Sequence, residues 1–116
     1  MPEPFSTSVE VRFIDRDQVI RDLQAAAAEA KRVNPEIVKV LLFGSLVDGT
    51  WTADSDADLM IVVRKEFADF FESCRYQIYA NSIPTHSLVY PAAEFEKLAH
   101  DPESFVAQNL ARAIEL

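Results

Sequence analysis

Residues 37–63 read Ile37-Val-Lys-Val-Leu-Leu-Phe-Gly44-Ser45-Leu-Val-Asp48-Gly49-Thr-Trp51-Thr-Ala-Asp54-Ser-Asp56-Ala-Asp58-Leu-Met-Ile-Val-Val63. The stretch opens and closes on apolar runs, Ile37–Phe43 and Ala57–Val63. Both are short and rich in branched side chains, the pattern of strands buried on both faces. Both glycines of the chain lie between them. Gly44 removes a side chain where the first strand ends, so a ligand can approach the backbone closely. Ser45 adds a hydroxyl beside backbone N–H groups, a combination suited to phosphate. Asp56 and Asp58 stand two apart at the start of the second strand and therefore share a face. Two carboxylates on one face suit a hard divalent cation such as Mg²⁺, with phosphate oxygens and water completing its shell.

Two other loop chemistries fail at particular positions. The glycine spacing matches a P-loop, but Thr50-Trp51 stands where Lys-Ser/Thr is required. Asp54, Asp56 and Asp58 mimic the start of an EF-hand loop, but Leu59 and Lys65 occupy the places of its Gly and Glu. A solvated acidic turn is the plain alternative, and the strand boundaries on either side argue against it. If the two strands are antiparallel neighbours, Gly44-Ser45 and Asp56-Asp58 meet at one edge of the sheet. The residues between then need only a tight turn or one helical turn.

Working outward, Asp15 with Gln18 marks a helix start of capping-box type. The helix carries Val19, Ile20, Leu23, Ala26, Ala27, Ala30 and Val33 on one face and ends before Pro35. Upstream, Val9, Val11 and Phe13 alternate with polar residues, which predicts an additional strand over about 8–14. Downstream, Phe67, Phe70, Phe71, Cys74 and Ile78 recur at helical spacing and are expected to pack in the core. A third core strand follows over Thr85–Tyr90. Pro91 then starts a short helix with Phe95 and Leu98 inward. Pro102 starts a last helix through Phe105, Val106, Leu110, Ala113 and Ile114.

The expected fold is α/β: a small mixed sheet of three to four strands flanked by helices. It forms one domain over 1–116, with a core from about residue 15. The 116 residues are 49% hydrophobic and 26% charged, ordinary for a globular protein. No apolar run is long enough for a membrane span. Met1-Pro2-Glu3-Pro4 lacks the basic and apolar parts of a signal peptide, and Cys74 is the single cysteine. Both set the cytoplasm as the expected compartment. A net charge of −8 opposes broad nucleic-acid binding, but not binding of a nucleoside triphosphate delivered with its metal.

Gly-Ser, ten residues, then Asp-x-Asp resembles the signature of the minimal nucleotidyltransferases of the DNA polymerase β superfamily. The resemblance runs from about Asp15 to Leu116 and includes the element order. It implies a Mg²⁺-dependent enzyme, ATP-binding or taking another nucleoside triphosphate, that transfers the nucleotidyl group to an acceptor. Gly44 and Ser45 would grip the triphosphate. Asp56 and Asp58 would be catalytic and would hold two Mg²⁺ ions about the α-phosphate. Members of this size often serve as antitoxins beside a helical HEPN-type toxin. Neutralising such a partner, or binding nucleotide without catalysis, are the alternative functions. With no separate substrate domain, the acceptor is held by this domain, a second copy in a homo-oligomer, or a partner.

Two positions depart from the family pattern. A third carboxylate is expected where this chain reads Ser87-Leu88-Val89-Tyr90-Pro91. Ser87 is thus expected to face Asp56 and Asp58 and to leave the carboxylate set incomplete, weakening catalysis. His86 would point to the other face. A basic residue common before the second glycine is here Asp48, which would repel a triphosphate. Arg64 and Lys65 follow Asp58 by about 20 Å of strand and are assigned to the far end of the sheet. Trp51 is read as a lid over the sheet edge, with base stacking or partner contact as the alternative, and His100 as a loop residue.

Overall fold

A computed structural model describes residues 15–52, 54–67 and 70–116. The strand expected over 8–14 lies outside the described residues. Helix α1 (Arg16–Val33) starts where Asp15 accepts a hydrogen bond from the Gln18 N–H at 3.2 Å. The Gln18 side chain does not return to Asp15 as a capping box requires; it donates to Asp22 Oδ1 at 2.8 Å. After Val33 the Asn34 N–H still reaches the Ala30 carbonyl, and Pro35 prevents a further turn.

Strand β1 (Ile37–Phe43) passes through a single helical turn, α2 (Ser45–Asp48), into β2 (Ala57–Val63). The two strands are antiparallel, with Leu42 opposite Leu59 and Phe43 opposite Asp58. The crossover after β2 carries α3 (Phe70–Cys74) and leads to β3 (Thr85–Pro91), which runs parallel to β2. Two helices, α4 (Ala92–Ala99) and α5 (Phe105–Leu110), precede a two-residue strand, β4 (Ile114–Glu115). The sheet order is β3-β2-β1-β4.

Alternation along β1 and β2 feeds two cores, which explains why both strands are almost continuously apolar. Val40, Leu42, Leu59, Ile61 and Val63 pack with Val19, Leu23 and Ala27 of α1. Leu41, Phe43, Met60 and Val62 face the other way, toward Phe95 of α4 and Val106 of α5. Val19, Leu23 and Ala27 recur every four residues, so one stripe of α1 is buried. Among the described residues no helix is long and apolar enough to cross a membrane.

Several expectations are corrected. Val33 is exposed: it is the last residue of α1, beyond Ala27, where the buried stripe of the helix ends. The aromatic stripe does not form a packed helix: α3 is only five residues long, and Phe71 and Cys74 are exposed. Ile78 is buried, but from an extended segment beside β3. The last helix starts later than Pro102, with Ser104 Oγ accepting from the Ala107 N–H at 3.0 Å. It also ends before Ala113, and Ile114 adds a strand to β1. The bond from the Leu116 N–H to the Val40 carbonyl extends that pairing. Edge pairing to an otherwise open strand outweighs the local helical pattern here.

Candidate nucleotide and metal site

The β1–β2 register brings the two halves of the 44–58 motif to one end of the sheet. Phe43 pairs with Asp58, so Gly44 is the first residue to leave the sheet beside that carboxylate. Gly44 has φ 88° and ψ −151°, a region essentially reserved for glycine. A Cβ built there would overlap Asp58 Oδ2 and stand 3.3 Å from its Cγ. Both backbone torsion and space therefore exclude any side chain at position 44.

Gly44 caps α2, and its carbonyl accepts from the Val47 and Asp48 N–H groups at 3.0 and 2.9 Å. The N–H groups of Ser45 and Leu46, at the start of the turn, have no intrahelical carbonyl to reach. They and the Ser45 hydroxyl lie next in sequence to the Asp58 contact. Gly49 closes the turn in the left-handed region, φ 87°, with its N–H on the Ser45 carbonyl. Both glycines thus answer specific backbone demands.

Asp58 is half-buried on β2, and Asp56 is exposed just ahead of the strand. The Asp58 carboxyl is held above its ordinary range, chiefly by burial; the Asp56 charge adds to this and His86 opposes it. Such a group gains from a cation. Among the described residues no three His, Cys, Asp or Glu side chains close on one point. Two carboxylates beside an open backbone therefore fit a cation that arrives with phosphate oxygens, not one caged by protein alone.

The third expected site position is corrected. In the parallel β2–β3 register Asp58 lies opposite His86, and Ser87 lies opposite Leu59. Leu59 belongs to the core under α1, so Ser87 faces that layer, where its Oγ accepts from the Ile78 N–H at 3.2 Å. His86 shares the face of Asp58, its Nδ1 3.8 Å from Asp58 Oδ1. Among the described residues the set still lacks a third carboxylate, but position 86 is the one beside the site.

Asp48 is paired with Arg112, which donates to Asp48 Oδ1 at 3.2 Å. Sequence reasoning missed Arg112, since nothing local links residues 64 positions apart. Trp51 packs partly buried against the α1-side core. The Arg16 guanidinium stands 5.8 Å from its ring centroid and Arg16 Nε donates to the Leu46 carbonyl at 2.7 Å. That placement agrees with a lid. Arg64 and Lys65 lie beyond Val63, which pairs with Ile37 at the opposite end of the sheet. His100 follows α4, its Nδ1 2.9 Å from the Glu96 carbonyl.

Comparison with known proteins adds two findings. The sequence model of a family described as "nucleotidyltransferase domain" matches residues 23–110, well over half of the chain. A crystal structure from Sulfolobus solfataricus, described as a candidate nucleotidyltransferase, superposes with a TM-score of 0.58. It is 17% identical, over 71% of this chain and 75% of its own, and shows the shared fold. No curated protein matches the chain.

Proposed function

Because the chain belongs to the nucleotidyltransferase domain family, we propose that it binds a nucleoside triphosphate with Mg²⁺ at the Gly44–Asp58 junction and transfers the nucleotidyl group to an acceptor. The observation that carries this reading is the contact itself. A backbone stripped of its side chain lies directly against a half-buried carboxylate, with a second carboxylate two residues away.

The roles follow from position. The Ser45 and Leu46 N–H groups and the Ser45 hydroxyl bind the terminal phosphates. Gly44 leaves the room that the Asp58 carboxylate occupies beside the phosphate-binding turn. Asp56 and Asp58 hold Mg²⁺, which when bound supplies charge neutralisation on the phosphates. In the transfer, an acceptor oxygen forms a bond to the α-phosphorus. The α–β bridging bond breaks, pyrophosphate leaves, and the acceptor proton passes to solvent. Among the described residues no third carboxylate joins them, so these groups support one metal better than two, and slow transfer is expected.

The test uses each of the four nucleoside triphosphates labelled at the α-phosphate, with Mg²⁺ and the proteins that co-purify from the native source. Label on a defined acceptor, with matching pyrophosphate release, supports transfer. Triphosphate binding with no transfer to any acceptor would reduce the function to that of a nucleotide-binding module.

A further inference from the structure

The chain carries a net charge of −8, and Asp48, Asp54, Asp56 and Asp58 all lie in or after the α2 turn. A polyanionic triphosphate entering there meets repulsion unless a cation answers it. Among the described residues two arginines flank α2. Arg16 is committed on the α1 side, to the Leu46 carbonyl and the Trp51 ring. Arg112 stands on the α5 side, and the carboxylate it donates to, Asp48, does not hold it in the core. The pair with Asp48 is exposed, with 74% of the Arg112 side chain accessible. Exposed pairs of this kind contribute little and exchange readily.

Arg112, Asp48 and Gly44 line one narrow polar cleft between α2 and the end of α5. Gly44 is also the residue in contact with Asp58. Gly44 therefore borders both the cleft and the Asp58 carboxylate. Asp48 and Ser45 are the two ends of a single helical turn, roughly 5 Å apart along its axis. That separation is within the length of an arginine side chain.

We propose that Arg112 is the phosphate-tail residue of this site. In the free protein Asp48 parks the guanidinium beside the Gly44–Ser45 loop; on binding, the guanidinium leaves Asp48 for the terminal phosphates. The planar fork of arginine suits two parallel bonds to phosphate oxygens. The assignment rests on the triphosphate reading of the Gly44–Asp58 site and names the side-chain cation that this reading lacks.

Calorimetric titration of the whole chain with two probes in Mg²⁺ tests it: tripolyphosphate, and ATP with a methylene group between its α- and β-phosphates. Arg112→Ala is expected to weaken both by about tenfold or more, since charge-assisted bonds to phosphate are lost. Arg112→Lys should recover part of the loss. Asp48→Asn should tighten both probes, because the arginine then leaves no partner and one repelling charge is gone. Unchanged affinity in Arg112→Ala, with binding still abolished by Asp56→Asn plus Asp58→Asn, overturns the Arg112 assignment alone. Weakening confined to the nucleotide, with tripolyphosphate unaffected, also overturns it, because Arg112 would then act on the nucleoside. No binding of either probe by the unaltered chain overturns the site reading beneath it.

Discussion

Gly44 and Asp58 are in contact so close that no side chain fits between them. A Cβ at residue 44 would overlap Asp58 Oδ2, and the φ of 88° is strained for any other residue. Gly44→Ala is therefore expected to displace either the start of α2 or the Asp58 carboxylate. Strain of this kind costs on the order of 1–3 kcal/mol. Urea unfolding should show that loss, and Mg²⁺-dependent triphosphate binding should fall with it. Gly49→Ala makes a useful contrast. Its φ is 87°, but no atom lies within 4 Å of the added Cβ. It should lose stability through torsion alone and retain more of the binding.

Asp58 pays for its position in the metal-free protein. Burial raises its pKa from the ordinary 3.8, so the folded chain holds that proton more tightly than the unfolded chain does. Stability then falls as pH rises from about 4 through the raised value. Asp58→Asn should raise the melting temperature of the metal-free protein at pH 7 and remove this part of its pH dependence. The same substitution should destroy Mg²⁺-dependent triphosphate binding. A variant less stable than the parent at pH 7 would show that the carboxylate is already compensated inside the protein.

Position 86, and not 87, is where an added carboxylate should matter. His86→Asp places a third acid on the face of Asp58, because those two positions are in register. Mg²⁺ binding in the presence of triphosphate should tighten, while the metal-free protein loses stability through repulsion between neighbouring carboxylates. Ser87→Asp points into the opposite layer, beside the Ile78 N–H, and should leave Mg²⁺ affinity unchanged. Titration calorimetry on the two variants separates the assignments. Tightening by Ser87→Asp alone would restore the register expected from the sequence.

The far end of the sheet offers a control with no site role. Tyr76 is buried, and its hydroxyl donates to Glu36 Oε2 at 2.7 Å. Burial, and then that hydrogen bond, push the Tyr76 pKa up to about 12. Tyr76→Phe should cost about 0.5–1.5 kcal/mol at pH 7 and leave triphosphate binding intact. Between about pH 10 and 12 the unfolded chain has lost this proton and the folded chain has kept it, so the parent loses stability there as pH rises. Phenylalanine lacks that loss, and the two unfolding curves should converge.

What was legible in the sequence follows the range of the forces involved. β1, β2 and β3, the Asp15 cap and the single helical turn between Gly44 and Gly49 were readable because each is set by a local pattern. The meeting of Gly44 with the Asp56–Asp58 pair was readable because a tight connection forces antiparallel neighbours. The face of Ser87 was not, since a shift of one residue in strand register exchanges every side chain between layers. β4 was not, because Ala113 and Ile114 continue a helical period and only the open edge of β1 draws Ile114 into the sheet. Phe71 and Cys74 kept a helical spacing, but the helix is only five residues long and leaves both exposed. Arg112 had no local signal at all: its partner, Asp48, is brought to it by the fold.

The most direct measurement is thermal unfolding of the unaltered chain and of Asp56→Asn plus Asp58→Asn, each compared with its own ligand-free baseline. Each is heated with Mg²⁺ alone, triphosphate alone, and both together. With ligand at about 100 times Kd, binding contributes about 2.7 kcal/mol, a rise on the order of 10 °C for a domain of this size. A site built from Gly44, Ser45, Asp56 and Asp58 requires that rise only when Mg²⁺ and triphosphate are both present, and its disappearance in the double variant. An equal rise in the double variant would contradict the assignment and place nucleotide binding elsewhere on the chain.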